Sequence, residues 1–121
     1  MSPQERPPPK IDSYSFGRIT VDGRTYTSDL ILFPTRVSDG WWREEGHRLS
    51  QADLREVLEQ RPDVLVVGTG ANGVMDVPQE TRQAVEKVGI RLVAQPTDQA
   101  CELYNRLRLE DRTVAALHLT C

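Results

Sequence analysis

Apolar residues recur along this chain with two spacings, and these divide it into strands and helices. Tyr14, Phe16, Ile19 and Val21 fit one half-buried strand if Gly17 sits at a bulge. Asp22-Gly23 follows, a pair that favours a tight hairpin because both central residues must reach positive φ. Thr25 to Thr27 then forms the return strand. Leu30 to Phe33 reads as a third strand, ended by Pro34. The stretch 35–48 contains Gly40, Trp41, Trp42 and Gly46 without a clean period, so it reads as an irregular connection with room for a short strand.

Helical spacing begins at Ser50. This residue suits an N-cap, with Asp53 as the reciprocal partner of a weak capping box and Leu49 and Leu54 as a hydrophobic staple. Leu54, Val57 and Leu58 form one stripe, and Pro62 stops the helix. Val64-Leu65-Val66-Val67 is a continuous apolar run too short for a helix, as in a strand buried on both faces. A glycine loop, 68–73, comes next. Pro78 opens a second helix with Thr81, Ala84, Val85 and Val88 on one face, and Gly89 ends it as a left-handed cap. Ile90 to Ala94 is the next strand. Thr97 is placed to cap a third helix whose stripe is Ala100, Leu103, Tyr104 and Leu107, and Thr113 to Leu119 closes the chain as a strand. Three strands followed by alternating helices and strands define an α/β fold around a shared sheet. No internal repeat is visible.

Composition narrows the function classes. A chain of 121 residues fits one domain. With 15 basic and 18 acidic residues and a net charge of −3, it lacks the basic footprint that a nucleic-acid binder needs. No apolar run approaches the roughly 18 residues of a membrane span, and the N-terminus has no apolar signal core, so the cytoplasm is the expected compartment. Cys101 and Cys121 are too few for a disulfide framework and are expected to be reduced. Residues 1–10 carry Pro3, Pro7, Pro8 and Pro9 with few apolar groups, which describes a disordered proline-rich leader. The globular domain is then 11–121.

Four local patterns carry a resemblance. They are Ser15-Phe16-Gly17-Arg18-Ile19-Thr20-Val21-Asp22-Gly23 with Tyr26 and Asp29; Trp42 ahead of the first helix; Val64-Leu65-Val66-Val67-Gly68-Thr69-Gly70; and Thr97-Asp98-Gln99-Ala100-Cys101 with Tyr104-Asn105-Arg106-Leu107, closed by Arg112 to His118. In this order and spacing the chain resembles the Mth nine-three-eight-like domain family. His118-Leu119-Thr120-Cys121 and Trp42-Arg43-Glu44 are most similar to its adipogenesis-associated branch. A related branch contains a mitochondrial assembly factor for NADH dehydrogenase complex I. The resemblance implies a three-layer β+β/α fold, with a mixed central sheet of about five strands, helices on one face and an N-terminal β-hairpin layer. It implies no settled enzymatic activity. It transfers no partner either, since complex I assembly belongs to one branch and no mitochondrial leader is visible here.

Several motifs invite chemistry. Gly68-x-Gly70-x-x-Gly73 matches the dinucleotide fingerprint in letters, but Val74 to Val77 separate it from the helix, and the acidic residue expected about twenty positions on is absent. A tight turn needing positive φ is the simpler reading. A third reading places the amides of Gly68, Thr69 and Gly70 beside the helix start at Thr97, as a rim for a small anion at the carboxyl end of parallel strands. Cys101, near the start of that helix, is either a buried thiol or a nucleophile relying on His118 or His47. Tyr104 continues the apolar stripe, and Asn105 is expected to fix a neighbouring loop by side-chain hydrogen bonds. Of Trp41 and Trp42, one is expected to point inward and the other outward, or both to cover the sheet edge. No Cys/His spacing supports a metal, and no cofactor is expected.

The leading functional reading is therefore a non-catalytic interaction or assembly-type module with an unidentified protein partner. A small anionic ligand would be held by Gly68, Thr69, Gly70, Thr97, Cys101, Tyr104, Asn105 and Trp42. The alternative is a small-ligand or nucleotide-binding enzyme using the 68–73 loop and the helix starting at Thr97. A monomer or weak homodimer is expected.

Overall fold

The computed structural model describes residues 7–121. Two sheets are present among them. A three-stranded antiparallel sheet is built from β1 (Ile11–Ser15), β2 (Arg18–Val21) and β3 (Arg24–Tyr26) in that order. The central sheet has five strands: β4 (Leu30–Phe33), β5 (Arg36–Asp39), β6 (Val64–Thr69), β7 (Arg91–Gln95) and β8 (Thr113–His118), ordered β5-β4-β8-β6-β7. It is mixed: β4 runs antiparallel to β5 and β8, while β6 is parallel to β7 and β8. Three helices, α1 (Arg55–Gln60), α2 (Gln79–Lys87) and α3 (Thr97–Leu107), connect them.

The strand period of two sorts the core into two layers. Leu30, Leu32, Val64, Val66, Ala115 and Leu117 face one side of the central sheet and pack with Ala100, Cys101 and Tyr104 of α3 and with Ile11, Ile19 and Val21 of the smaller sheet. The residues between them, including Ile31, Phe33, Leu65 and Val67, face the other side and pack with Leu54, Val57 and Val85. All six residues of β6 and of β8 are buried, which is why their sequences show no alternation. The helices thus divide between the faces. α1 and α2 share one, as expected, but α3 lies on the other beside the three-stranded sheet. The mixed five-stranded sheet with a second β layer matches the expected architecture.

Local differences have physical causes. Gly17, at φ 75°, turns the chain between β1 and β2 instead of bulging one continuous strand, because Gly17 N–H donates to Leu119 O at 2.8 Å and ties the turn to the end of β8. Asp22 and Gly23, at φ 48° and 80°, form the anticipated tight hairpin. The irregular stretch holds β5. Ahead of α1, Gln51–Leu54 form a 3₁₀ turn, where Ser50 N–H donates to the Asp53 carboxylate at 2.9 Å. The proline stretch is held from Pro8 onward: Arg108 Nη1 donates to Pro8 O at 3.0 Å and Tyr104 Oη to Pro9 O at 2.7 Å. Residues 1–6 of the expected leader lie outside the described residues.

Candidate functional site

The carboxyl ends of β6 and β8 and the start of β4 meet at one end of the central sheet, because Thr69 pairs with His118 and Leu30 with Leu117. The glycine loop and α3 arrive there as anticipated. Their donors, however, bond within the fold. Gly70 N–H donates to Thr97 Oγ1 at 2.8 Å, Thr97 Oγ1 donates to His118 O at 2.6 Å, and Thr97 N–H donates to Gly70 O at 3.0 Å. Ala71 N–H donates to Thr120 O at 2.7 Å. Thr97 is therefore a buried tie in the first turn of α3 and not its cap, the N-cap being Pro96. Gly68 is required for close approach: a Cβ there would lie 2.9 Å from Leu117 Cδ2 and from Thr97 Oγ1. At Gly70, with φ 104°, a Cβ would lie 2.5 Å from Cys121 O. The glycines let the closing residues 119–121 pack as a strap over the loop, and the helix that would follow a dinucleotide loop starts only at Gln79.

The other anticipated residues separate into distinct roles. Cys101 is buried in the core, where desolvation, with Asp98 and Glu102 adding negative charge, pushes its thiol up to about 12, so it stays protonated at neutral pH. Tyr104 is fully buried and its phenol is also raised, mainly by burial. Asn105 imitates a strand neighbour: its Oδ1 accepts Ile11 N–H at 3.0 Å and its Nδ2 donates to Ile11 O at 2.8 Å. Tyr104 and Asn105 thus clamp the chain entering β1. For Asn105→Ala we expect a loss of about 1–2 kcal/mol from two hydrogen bonds, read by urea unfolding. A variant unchanged in midpoint would show the clamp to be idle.

A polar centre that isolated sequence motifs did not reveal lies beneath the strap. Asp29, just before β4, receives Arg43 Nη2 at 2.8 Å and His118 Nδ1 at 2.7 Å on Oδ2, and Leu119 N–H at 2.8 Å on Oδ1. Burial alone would raise its carboxyl; hydrogen bonds from His118, Leu119 and Arg43 outweigh that and hold it below the ordinary value. Facing a carboxylate, His118 Nδ1 carries the proton. The 3.0 Å approach of Arg43 Nη2 to that nitrogen is then two donors converging on one oxygen. Arg43 Nε and Nη1 and His118 Nε2 are buried and meet no hydrogen-bond partner among the described residues. The Arg43 guanidinium lies 4.6 Å from the ring centre of Trp41, whose Nε1 donates to Asp53 O at 3.0 Å. Trp42, between these two anchored residues, is 75% exposed. His47 packs edge-on against His118, ring centres 5.8 Å apart, and its Nε2 lies 3.7 Å from Cys121 Sγ. The sequence signal available was the polar residue at each end of an apolar run, Asp29 before β4 and His118 closing β8; only the strand order brings them together.

Among the described residues no three His, Cys, Asp or Glu side chains converge as a metal site, and no helix is long and apolar enough to cross a membrane. The fold and this rim define a small α/β scaffold whose loops are closed by internal hydrogen bonds. Its sequence profile matches over residues 11–119, and the chain belongs to the family of proteins of unknown function DUF498/DUF598, the Mth nine-three-eight-like proteins. It is similar to NADH dehydrogenase [ubiquinone] 1 alpha subcomplex assembly factor 3 of Mus musculus, 32% identical over 113 residues, which cover 88% of this chain and 57% of that protein. It is similar to a 13 kDa major membrane protein of Francisella tularensis, 27% identical, covering 86% and 85% of the two chains. Among solved structures, a conserved hypothetical protein of Pyrococcus horikoshii superposes with a TM-score of 0.79 at 28% identity, covering 93% and 99%.

Proposed function

We propose that this chain is a non-catalytic, assembly-type module that binds a protein partner through the rim carrying Trp42. The carrying observation is the presentation of that indole. Trp41 is fixed through Asp53 O and Arg43 through Asp29, so the residue between them projects from a braced backbone. An exposed tryptophan held in place loses little freedom on binding, and tryptophans of this kind contribute disproportionately to interfaces. Two and three residues further on, Glu44 and Glu45 border a cleft of about 300 Å³ with Arg48, Ser50 and Glu80, so the chain that follows the indole carries mainly acidic charge. A partner of matching chemistry offers an apolar pocket edged by basic groups. The similarity to a complex I assembly factor supports the assembly-type reading, and the chain matches only 57% of that relative's length. The occupied amides at Gly70, Ala71 and Thr97 support a structural part for the glycine loop. We place this module in the cytoplasm, as a monomer or weak homodimer.

Affinity capture from the source cells with the intact chain and with Trp42→Ala tests this. A partner should be retained by the former and bind about thirtyfold more weakly to the latter, as a hot spot of about 2 kcal/mol demands. The thermal midpoint should barely move, since the side chain is exposed. Equal retention by both chains overturns the reading.

A further inference from the structure

The two cysteines stand in different surroundings, and Cys101 takes the first of its two anticipated roles, a buried thiol. Cys101, at a helix start, is buried and protonated, whereas Cys121 is partly exposed and has a base beside it. We propose that Cys121 is a reactive thiol served by His47, and that it exchanges with low-molecular-weight disulfides to give a mixed disulfide at this rim.

Two independent observations carry this. The first is the approach of His47 Nε2 to Cys121 Sγ, 3.7 Å, at the accessible edge of the rim. A thiol and an imidazole at that separation form the nucleophile and base of a thiol-exchange site. The second lies behind them. His118 is buried and turns Nδ1 toward Asp29, which leaves Nε2 unpartnered on the side of the ring away from that carboxylate; the aromatic ring that His118 packs against is His47. A buried imidazole nitrogen with no partner is a group that a fold ordinarily satisfies. Here it stands beside an exposed histidine that contacts the only accessible thiol among the described residues. Among the described residues three ligands do not converge, so thiol chemistry fits this group better than metal binding.

The step balances without a cofactor. His47 Nε2 accepts the proton of Cys121 Sγ–H as the sulfur attacks one sulfur of the incoming disulfide. The new Sγ–S bond forms as the old S–S bond breaks, and the departing thiolate takes the proton back from His47. Cys121 is oxidised to a mixed disulfide, and half of the small disulfide is reduced to thiol. The group gained sits on the strap that covers Gly70.

Oxidised glutathione and an aromatic disulfide are the probes, with rates followed by intact mass and the attachment site by peptide mapping. The intact chain and Cys101→Ser should acquire one adduct, on Cys121, and Cys121→Ser none. His47→Ala should react about a hundredfold more slowly at pH 6.5, the lower end of what a general base contributes. Added imidazole should restore much of the rate, which a merely structural histidine would not allow. His47→Gln provides a second variant and should be equally slow. Wild-type rates in both His47 variants, a slow His47→Ala that imidazole leaves unchanged, or an adduct confined to Cys101 would each overturn the proposal.

Discussion

Asp29→Asn should lower stability by about 3–5 kcal/mol, because it leaves the buried Arg43 guanidinium without its counter-charge. Folded domains of this kind hold only about 5–15 kcal/mol in total, so the loss removes about a fifth or more. For a chain of this size the thermal midpoint should fall by about 10–20 °C. Asparagine keeps the shape and one acceptor, so packing loss contributes little. The pH dependence gives a second readout. The folded carboxyl is held below its ordinary value, so its stabilisation is fully present above the unfolded value of about 3.9 and is lost as pH falls through the lower folded one. The gap between wild type and Asp29→Asn should therefore be wide at pH 7 and close toward pH 3. A gap that stays constant with pH would mean that the carboxylate charge is not what holds the centre together.

The second large effect is expected at Thr97. Thr97→Val preserves volume but removes the hydroxyl that accepts Gly70 N–H and donates to His118 O, and both backbone groups remain buried. We expect a loss of about 2–3 kcal/mol by denaturant unfolding, dominated by the stranded Gly70 amide. Hydrogen exchange should speed up at Gly70 and Ala71, where the glycine loop meets the strap. Thr97→Ser, which keeps the hydroxyl, should lose less than half as much. If Thr97→Val and Thr97→Ser were equally destabilising, the hydroxyl bridge would be incidental and the methyl group the stabilising part.

Most of the fold is legible in the chain because its signals are local. The unbroken run Val64 to Val67, the Asp22-Gly23 hairpin and the apolar stripe of α3 each declare an element within a few residues. The strand pairing is not local. That β8 inserts between β4 and β6 is written nowhere in the order of the elements, and that insertion sets His118 against Asp29. For the same reason His47 and His118, 71 residues apart in sequence, look isolated until the sheet is assembled. The glycine loop was recognisable as a turn, and its neighbour Thr97 as a helix start. What filled the space between them, a threonine hydroxyl and the closing strap, depends on side-chain reach across the sheet. Alternation along an extended backbone left two arrangements open for Trp41 and Trp42; the structure packs Trp41 partly against the core and exposes Trp42.

The clamp on the entering chain also decides how the molecule can be handled. Pro8 and Pro9 are fastened near the far end of α3, and that helix, at 11 residues, separates them from Thr97 by about 16 Å. The point where a purification handle or fluorophore fused ahead of Pro8 would join the fold is therefore about 16 Å along α3 from Thr97, away from the strap that carries Cys121. The same label attached after Cys121 would sit on the strap itself.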